Sequence, residues 1–210
     1  MVEQAATEKM YWQSLDKSAW LTLKAEGDII EQDNRGVKVL RCANGDFIKL
    51  FRIKRRFTLA KIFNPAESFC RKAQQLKQCG IATVTPVALY RLLHVPRWGA
   101  RYQPLEGITV RALLQQSQFT EQHIAALGSF IALLHHKGIL FRSLHPGNVV
   151  LKPDGSFGLI DILDCRFRCW QRPLNRWQRA RNFQHFFRYE DGRAIETALR
   201  AAYRAEVATQ

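Results

Sequence analysis

The sequence predicts an α+β protein with two lobes, an N-terminal lobe of residues 1–104 and a C-terminal lobe of residues 105–210. Short apolar runs separated by turn residues lie between Lys24 and Phe51, which is typical of an antiparallel β-meander. Beyond Pro104, most segments have helical spacing of their apolar residues. Strands therefore precede helices along the chain, an order typical of α+β proteins.

The predicted N-terminal lobe begins with a segment that is amphipathic, helical or loosely packed, up to about Trp20. Turns are predicted at residues 34–36 and 43–46, because both contain the Asn and Gly that tight turns require. Strands are expected at residues 37–40, 47–51, 84–93 and 100–104.

Besides an N-terminal helix, this lobe is predicted to contain a helix from Pro65 to Cys79. Asn64 suits the N-cap, Pro65 suits the first helical position and Glu67 suits the first turn. Gly80 provides the C-terminal stop. Residues 103–107 are expected to form a hinge between the lobes.

In the predicted C-terminal lobe, helices are expected at residues 109–116, 120–137 and about 194–208. The second helix carries its apolar residues at helical spacing, at positions 124, 127, 131 and 134. A β-hairpin is predicted at residues 149–160, turned on Pro153, Asp154 and Gly155.

Charge is the most unusual feature of the composition, with a formal net charge of +14 over 210 residues. Such an excess favours an anionic partner, such as a phosphorylated glycolipid, a membrane surface or nucleic acid, although many basic proteins simply remain soluble this way.

The five cysteines form no C-x-x-C pair, which predicts free thiols. No apolar run is long enough to span a membrane, and the N-terminus does not resemble a signal peptide, so a cytoplasmic protein is expected, at most peripheral on the inner membrane.

The segment from Phe141 to Asp161 carries the strongest functional signal. Asn148 lies just before the predicted hairpin, and Asp161 lies just after it. Amide and carboxylate oxygens are ligands that Mg²⁺ accepts together with phosphate oxygens. The pair therefore predicts a site for nucleotide-bound Mg²⁺.

These residues resemble the protein-kinase-like superfamily, in which H-R-D-x-x-x-x-N is followed by D-F-G. The closest likeness is to the small bacterial kinases of the lipopolysaccharide core, the heptose and Kdo kinases, and to proteins labelled toluene tolerance proteins, over about residues 23–188. The resemblance implies a kinase-like two-lobed fold with a reduced C-terminal lobe, and ATP and Mg²⁺ as ligands. Lys49 would contact the α/β-phosphates, Glu67 would be its helix partner, and Glu106, in the hinge, would lie at the adenine pocket.

The chain departs from that pattern at the catalytic base. Phe141, Arg142 and Ser143 stand where H-R-D is expected, and a Ser hydroxyl is not a base near neutral pH. His145 and Asp164 are the candidates for a replacement base, with Ser143 orienting the nucleophile. The glycine-rich loop is poor, which gives little support for close backbone contact with the phosphates. No A-P-E segment follows Asp161, which argues against a protein substrate.

Two functions remain open at this point. The chain is either an ATP-dependent phosphotransferase acting on the lipopolysaccharide core or a related envelope glycolipid of a Gram-negative bacterium, or a pseudokinase that binds nucleotide and regulates envelope biosynthesis. Nucleic acid is the less favoured anionic partner. Two basic stretches fit a phosphorylated glycolipid, unless they are only solvated surface: Arg52, Lys54, Arg55, Arg56 and Lys61, and then Arg166, Arg168, Arg172, Arg176, Arg179 and Arg181 interleaved with Trp170 and Trp177.

Overall fold

The structure, a computed structural model, describes residues 11–52, 64–168 and 172–209. It confirms the α+β class. The described chain forms two compact units. The first contains the residues up to Arg71 together with Val84–Pro104, and the second contains Lys72–Thr83 together with the residues from Leu105 onward.

Strands and helices occur in both units. The strands are β1 (Trp12–Leu15), β2 (Asp28–Asp33), β3 (Gly36–Arg41), β4 (Phe47–Arg52), β5 (Ala82–Thr83), β6 (Thr85–Leu92), β7 (Arg97–Gln103), β8 (Ile108–Thr109), β9 (Ile139–Phe141), β10 (Val149–Leu151), β11 (Phe157–Leu159) and β12 (Cys165–Phe167). The helices are α1 (Lys17–Glu26), α2 (Pro65–Gln78), α3 (Val110–Gln115), α4 (Glu121–His136), α5 (Arg176–Phe186), α6 (Glu190–Ala194) and α7 (Glu196–Ala208).

The first unit is built on a six-stranded sheet in the order β1-β6-β7-β4-β3-β2. The predicted meander is confirmed as β2, β3 and β4, which pair antiparallel. Both predicted turns are present, and Gly36 and Gly45 adopt the positive φ angles of 104° and 88° that these turns require.

The opening of the chain is more ordered than the sequence predicted. Strand β1 pairs in parallel with β6, and Leu15 at its end is buried in the core of the first unit. Helix α1 follows directly, with the Asp16 carboxylate accepting a hydrogen bond from the Ala19 N–H at 2.8 Å. Trp20 on that helix packs in the same core cluster as Leu15.

Helix α2 confirms the predicted start at Pro65 and ends one residue before the predicted Cys79. The Asn64 side chain accepts a hydrogen bond from the Ala66 N–H at 2.9 Å, which caps the helix. In the first unit, Phe69 of this helix packs against Phe51 and Tyr102, with ring centroids 5.9 and 5.3 Å away. The rest of this helix, Lys72–Gln78, belongs to the second unit, where the Lys72 ammonium donates to the Leu163 carbonyl.

The second unit contains the predicted hairpin, now β10 and β11, inside a four-stranded sheet in the order β5-β11-β10-β8. Gly107, just before β8, has a φ of 133°, and a Cβ there would collide with the Leu151 carbonyl of β10. Close approach of these two backbones therefore requires glycine. A separate two-stranded ladder pairs β9 with β12.

Helices α4 and α7 form the main helical contact of the second unit. Leu127, Ile131 and Leu134 on α4 are buried as predicted. A Cβ at Gly128 would lie 2.7 Å from the Ala202 Cβ, so glycine allows the two helices to approach closely. The last helix, predicted at about residues 194–208, is confirmed as α7, and the short helix α6 precedes it. Within the described part of the chain, no helix is long and apolar enough to cross a membrane.

A buried histidine links these helices to α5. His135 on α4 is 1% exposed, its Nδ1 lies 2.8 Å from the Tyr203 hydroxyl, and its Nε2 lies 3.2 Å from the Asn182 Oδ1. Because a carbonyl oxygen can only accept, Nε2 carries the proton and Nδ1 accepts from the Tyr203 hydroxyl. Burial lowers the pKa of His135 to about 4, so the imidazole is neutral at pH 7.

We expect this histidine to make the protein sensitive to acid. In the unfolded chain, His135 binds a proton when the pH falls to its ordinary pKa of about 6.5. In the folded protein, it binds a proton only when the pH falls to about 4. Between these values the unfolded state binds more protons, so stability should fall with falling pH by up to about 1.4 kcal/mol per pH unit. Denaturant unfolding at pH 7.5, 6.0 and 5.0 measures this slope. A His135→Gln variant should have a shallower slope, and an unchanged slope would contradict the assignment.

Candidate functional site

The candidate site of the second unit is organised by the pairing of β9 with β12. Phe141 at the end of β9 pairs with Cys165 at the start of β12, and the Arg142 N–H donates to the Asp164 carbonyl at 3.4 Å. This register brings the chain after Phe141 beside the chain before Cys165. Ser143 and Asp164, 21 residues apart in sequence, meet as a result.

Ser143 and Asp164 form a short hydrogen bond, in which the Ser143 hydroxyl donates to the Asp164 Oδ2 at 2.6 Å. Asp164 is exposed and Ser143 is partly exposed, so both remain open to a ligand. Since the hydroxyl takes only one lone pair of Oδ2, the carboxylate keeps acceptor capacity for a further hydroxyl group. A carboxylate therefore lies beside the position where the kinase pattern has its base.

Asn148 is held in a fixed orientation at the open end of the hairpin, directly before β10. Its side chain is buried, and the Nδ2 donates to the Ser143 carbonyl at 3.0 Å. Its backbone carbonyl accepts from the Ile160 N–H at 3.0 Å. The amide nitrogen is used by the protein, which leaves the amide oxygen as the atom able to act as a metal ligand.

Asp161 directly follows Ile160, whose N–H donates to the Asn148 carbonyl, so Asp161 and Asn148 lie at the same open end of the hairpin. Asp161 is exposed, and its backbone is left-handed, with φ 50° and ψ 46°. Such a conformation is unfavourable for residues with a Cβ, costing on the order of 1–3 kcal/mol, although Asp tolerates it better than most. Strained residues of this kind cluster at functional sites. Here the strained residue carries a carboxylate at the end of the hairpin where Asn148 also lies.

The two side chains fit Mg²⁺ that is also held by phosphate. Within the described residues, no group of three or more His, Cys, Asp and Glu side chains is arranged to bind a metal ion. Mg²⁺ in nucleotide sites is usually held by one or two carboxylates together with substrate phosphates and water, and Asp161 and Asn148 would provide one carboxylate and one amide oxygen.

His145 is placed near these groups but in an environment that weakens it as a base. Its Nδ1 accepts from the Gly147 N–H at 3.0 Å, and its ring packs 4.8 Å from the Tyr189 ring. Burial, followed by the nearby charges of Arg111 and His185, lowers the pKa of His145 to about 4. With Nδ1 occupied as an acceptor, the neutral ring carries its proton on Nε2.

Several residues that support this loop were not identified from the sequence. Asn182 on α5 donates to the Phe141 carbonyl at 2.6 Å, and His185 on the same helix lies with Nδ1 3.1 Å from the Leu144 carbonyl. These bonds fix the backbone on both sides of Ser143. Sequence motifs give no signal for them, because each of these bonds joins residues that are 41 positions apart.

An ion pair forms a further support. The Arg111 Nε donates to the Asp191 carboxylate at 2.6 Å, and the Arg111 guanidinium lies 5.4 Å from the centroid of the Tyr189 ring. A Cβ on Gly147 would lie 2.9 Å from the Arg111 guanidinium, so glycine lets this ion pair approach the loop.

Lys49 and Glu67 lie in the first unit. Lys49 is partly buried at the centre of β4, where it is in register with Val39 and Ala100. Glu67 lies in the first turn of α2, and its carboxylate accepts from the Trp12 indole N–H at 3.2 Å. The ion pair between Lys49 and Glu67 stays a prediction.

Glu106 belongs to the second unit and is exposed in the segment between β7 and β8.

Part of the predicted basic surface lies outside the described residues, namely Lys54, Arg55, Arg56 and Lys61, as does Trp170. Arg52, which is described, forms an ion pair with Asp33 at 2.5 Å. All four described cysteines are free, as expected.

In comparisons with known proteins, no family model and no curated protein matches this chain.

Proposed function

We propose that this protein is a phosphotransferase with a protein-kinase-like two-lobed fold and a reduced C-terminal lobe, which uses ATP and Mg²⁺. The observation that supports this most is the grouping of Asn148, Asp161, Ser143 and Asp164 around one hairpin. The proposed acceptor is a hydroxyl group of an anionic glycolipid, of the lipopolysaccharide-core type, at the inner-membrane surface. The net charge of +14 fits such an acceptor.

Asn148 and Asp161 are the residues that would hold Mg²⁺ in this proposal. When bound, Mg²⁺ supplies charge neutralisation for the phosphate oxygens. The bond from Asn148 to the Ser143 carbonyl couples the metal ligand to the loop, so the acceptor and metal sites keep a fixed spacing. The resemblance assigns Lys49 to the nucleotide phosphates, Glu67 as its partner, and Glu106 to the adenine, and these roles are part of the same proposal.

Asp164 is the better candidate for the base. In the proposed step, the acceptor oxygen attacks the γ-phosphorus of ATP, its proton passes to the Asp164 carboxylate, and the bond from the γ-phosphorus to the β–γ bridging oxygen breaks to release ADP. Ser143 positions the carboxylate by donating to Oδ2. His145 is disfavoured because its Nδ1 already accepts from the Gly147 N–H and its Nε2 carries the proton of the neutral ring, so neither nitrogen has a lone pair available for the acceptor hydroxyl.

A second candidate function is a nucleotide-binding pseudokinase that regulates envelope biosynthesis. Ser143, at the position of the usual catalytic Asp, is the observation that favours it. Loss of general-base catalysis costs about 10²–10⁴-fold in rate, and phosphoryl transfer otherwise depends mainly on positioning and charge stabilisation. The two candidates therefore differ in transfer rate and not in nucleotide binding.

The test is transfer of labelled γ-phosphate from ATP to oligosaccharide prepared from lipopolysaccharide cores that lack individual phosphates. We expect incorporation that requires Mg²⁺ and scales with protein concentration. A protein that binds Mg²⁺ and ATP but transfers no phosphate to any of these cores would contradict the phosphotransferase and favour the regulatory module.

A further inference from the structure

A groove opens directly beside Ser143 and Asp164, on the surface of the second unit. It has a volume of about 1060 Å³, slightly above the usual range for ligand sites of about 300–1,000 Å³. Loop residues form one side and helix α5 with the residues just after it forms the other. Its described lining residues are Arg142, Ser143, Asp164, Trp177, Ala180, Arg181, Gln184, His185 and Arg188.

One face of α5 supplies most of this groove. Positions 177, 180, 181, 184, 185 and 188 follow the three- and four-residue spacing that places side chains on one side of a helix. Asn182, Phe183 and Phe186 on the other side are buried in the second unit. The groove face is therefore held rigidly, because α5 packs against the core and its N-terminus is capped by reciprocal hydrogen bonds between Asn175 and Gln178.

Three arginines in the groove have no partner of opposite charge among the residues that the structure describes. Arg142, Arg181 and Arg188 are exposed, and among the described residues their guanidinium groups form no ion pair and no hydrogen bond. Other arginines of the same unit are used structurally: Arg111 pairs with Asp191, Arg200 pairs with Glu196, Arg168 donates to the Pro173 carbonyl and Arg179 donates to the Leu174 carbonyl. Three guanidinium groups that are not used structurally therefore line the same groove as Ser143 and Asp164.

Trp177 adds an apolar surface to this charge. Its side chain is 71% exposed, which is unusual for a residue that commonly packs in cores. The Arg176 guanidinium lies over the indole ring at 5.1 Å, and the residue lines the groove. A flat amphipathic ring next to guanidinium forks suits a ligand that has both a sugar face and a phosphate group.

We propose that this groove is the acceptor site and that it takes a saccharide already carrying a phosphate group. The phosphate binds to Arg181 and Arg188, the sugar packs on Trp177, and the hydroxyl that is to be phosphorylated lies at Asp164. This inference rests on the proposed function for the role of the groove in transfer. The binding of the phosphorylated saccharide itself needs no nucleotide.

The test measures binding of a lipopolysaccharide-core oligosaccharide, with and without chemical removal of its phosphates, by calorimetry in the absence of nucleotide. We expect the phosphorylated form to bind and the dephosphorylated form to bind about 10- to 100-fold more weakly, since charged hydrogen bonds are lost. An Arg181→Gln/Arg188→Gln double variant should lose the same factor, because it removes the groups that recognise the phosphate. Trp177→Ala should weaken binding of both forms.

The control is Arg204→Gln, which removes an exposed charge from α7 of the same unit outside the groove. Each variant is checked for an unchanged unfolding temperature. Equal affinity of the two oligosaccharide forms, or equal losses in the Arg204 control and the groove variants, would overturn the proposal. So would tighter, Arg181-dependent binding of a single-stranded oligonucleotide, the alternative ligand for arginines beside an aromatic ring.

The same measurements separate this proposal from the proposed function. Oligosaccharide binding that needs Arg181 and Arg188, in a protein that shows no response to ATP and Mg²⁺, would contradict the proposed phosphotransferase and support the saccharide site. A response to ATP and Mg²⁺ without oligosaccharide binding would support nucleotide binding and contradict the saccharide site.

Discussion

Replacing Asp161 with Asn is expected to reduce phosphate transfer by about 10²–10³-fold, the effect typical of removing one preorganised electrostatic contact to the reacting group. The substitution removes the charge that would hold Mg²⁺ but keeps the shape of the side chain. Asn also tolerates the φ of 50° at this position, so the fold should be retained. Transfer rates at saturating ATP measure the effect, and the affinity for ATP should lose its dependence on Mg²⁺.

Asp154→Asn is the matched control for this change. It removes the same charge from the turn of the same hairpin, where Asp154 pairs with Lys152 at 2.7 Å on the surface. Transfer by this variant should stay close to that of the unmodified protein. A similar loss of transfer in both variants would mean that Asp161 acts through hairpin structure and not as a ligand.

Replacing Asp164 with Asn should lower transfer by about 10²–10⁴-fold while leaving the affinity for ATP unchanged, since general-base assistance acts on the acceptor and not on the nucleotide. Ser143→Ala should have a smaller effect, because the serine only positions the carboxylate through the 2.6 Å bond. Single-turnover rates and ATP affinities of the three proteins separate the two roles.

His145→Gln completes this series. If Asp164 is the base, His145→Gln should keep most of the transfer rate, apart from any loss caused by weaker packing against Tyr189. Full transfer by Asp164→Asn, combined with a large loss in His145→Gln, would reverse the assignment and make the histidine the base.

Local sequence signals were sufficient for much of the fold. The cap at Asn64 and the stop at Gly80 defined α2, and the Pro153-Asp154-Gly155 turn defined the hairpin that carries Asn148 and Asp161. Each signal depends on neighbouring residues, whose backbone preferences hold in almost any context. The left-handed backbone at Asp161 had no such signal, because it arises where the strand meets the following 3₁₀ turn.

Features that depend on distant residues could not be read from the sequence. Strand β1 exists because it pairs with β6, more than 70 residues away, and its own residues show no clear alternation. Two-residue strands β5 and β8 extend the hairpin sheet for the same reason. The contact between Ser143 and Asp164, and the support from Asn182 and His185, require the tertiary fold.

The basic run after Asp161 shows that the role of each arginine likewise depends on the tertiary fold. Its arginines and tryptophans were recognised as one group that could meet phosphate and sugar. The structure divides them, since Arg168 and Arg179 bind backbone carbonyls whereas Arg181 and Trp177 line the groove. The composition predicts a ligand with phosphate and sugar groups, and only the helical phase of α5 shows which of these side chains line the groove.

The central claim is that the protein binds ATP through Mg²⁺ held by Asn148 and Asp161, and the most direct test is thermal unfolding with ATP, with and without Mg²⁺. At about 100 times the dissociation constant, ligand should stabilise the protein by about 2.7 kcal/mol, which corresponds to a rise of about 5–11 °C in Tm for a chain of this size. We predict that this rise requires Mg²⁺ and is lost in Asp161→Asn. No rise with Mg²⁺ and ATP, or an equal rise in the variant, would contradict the claim.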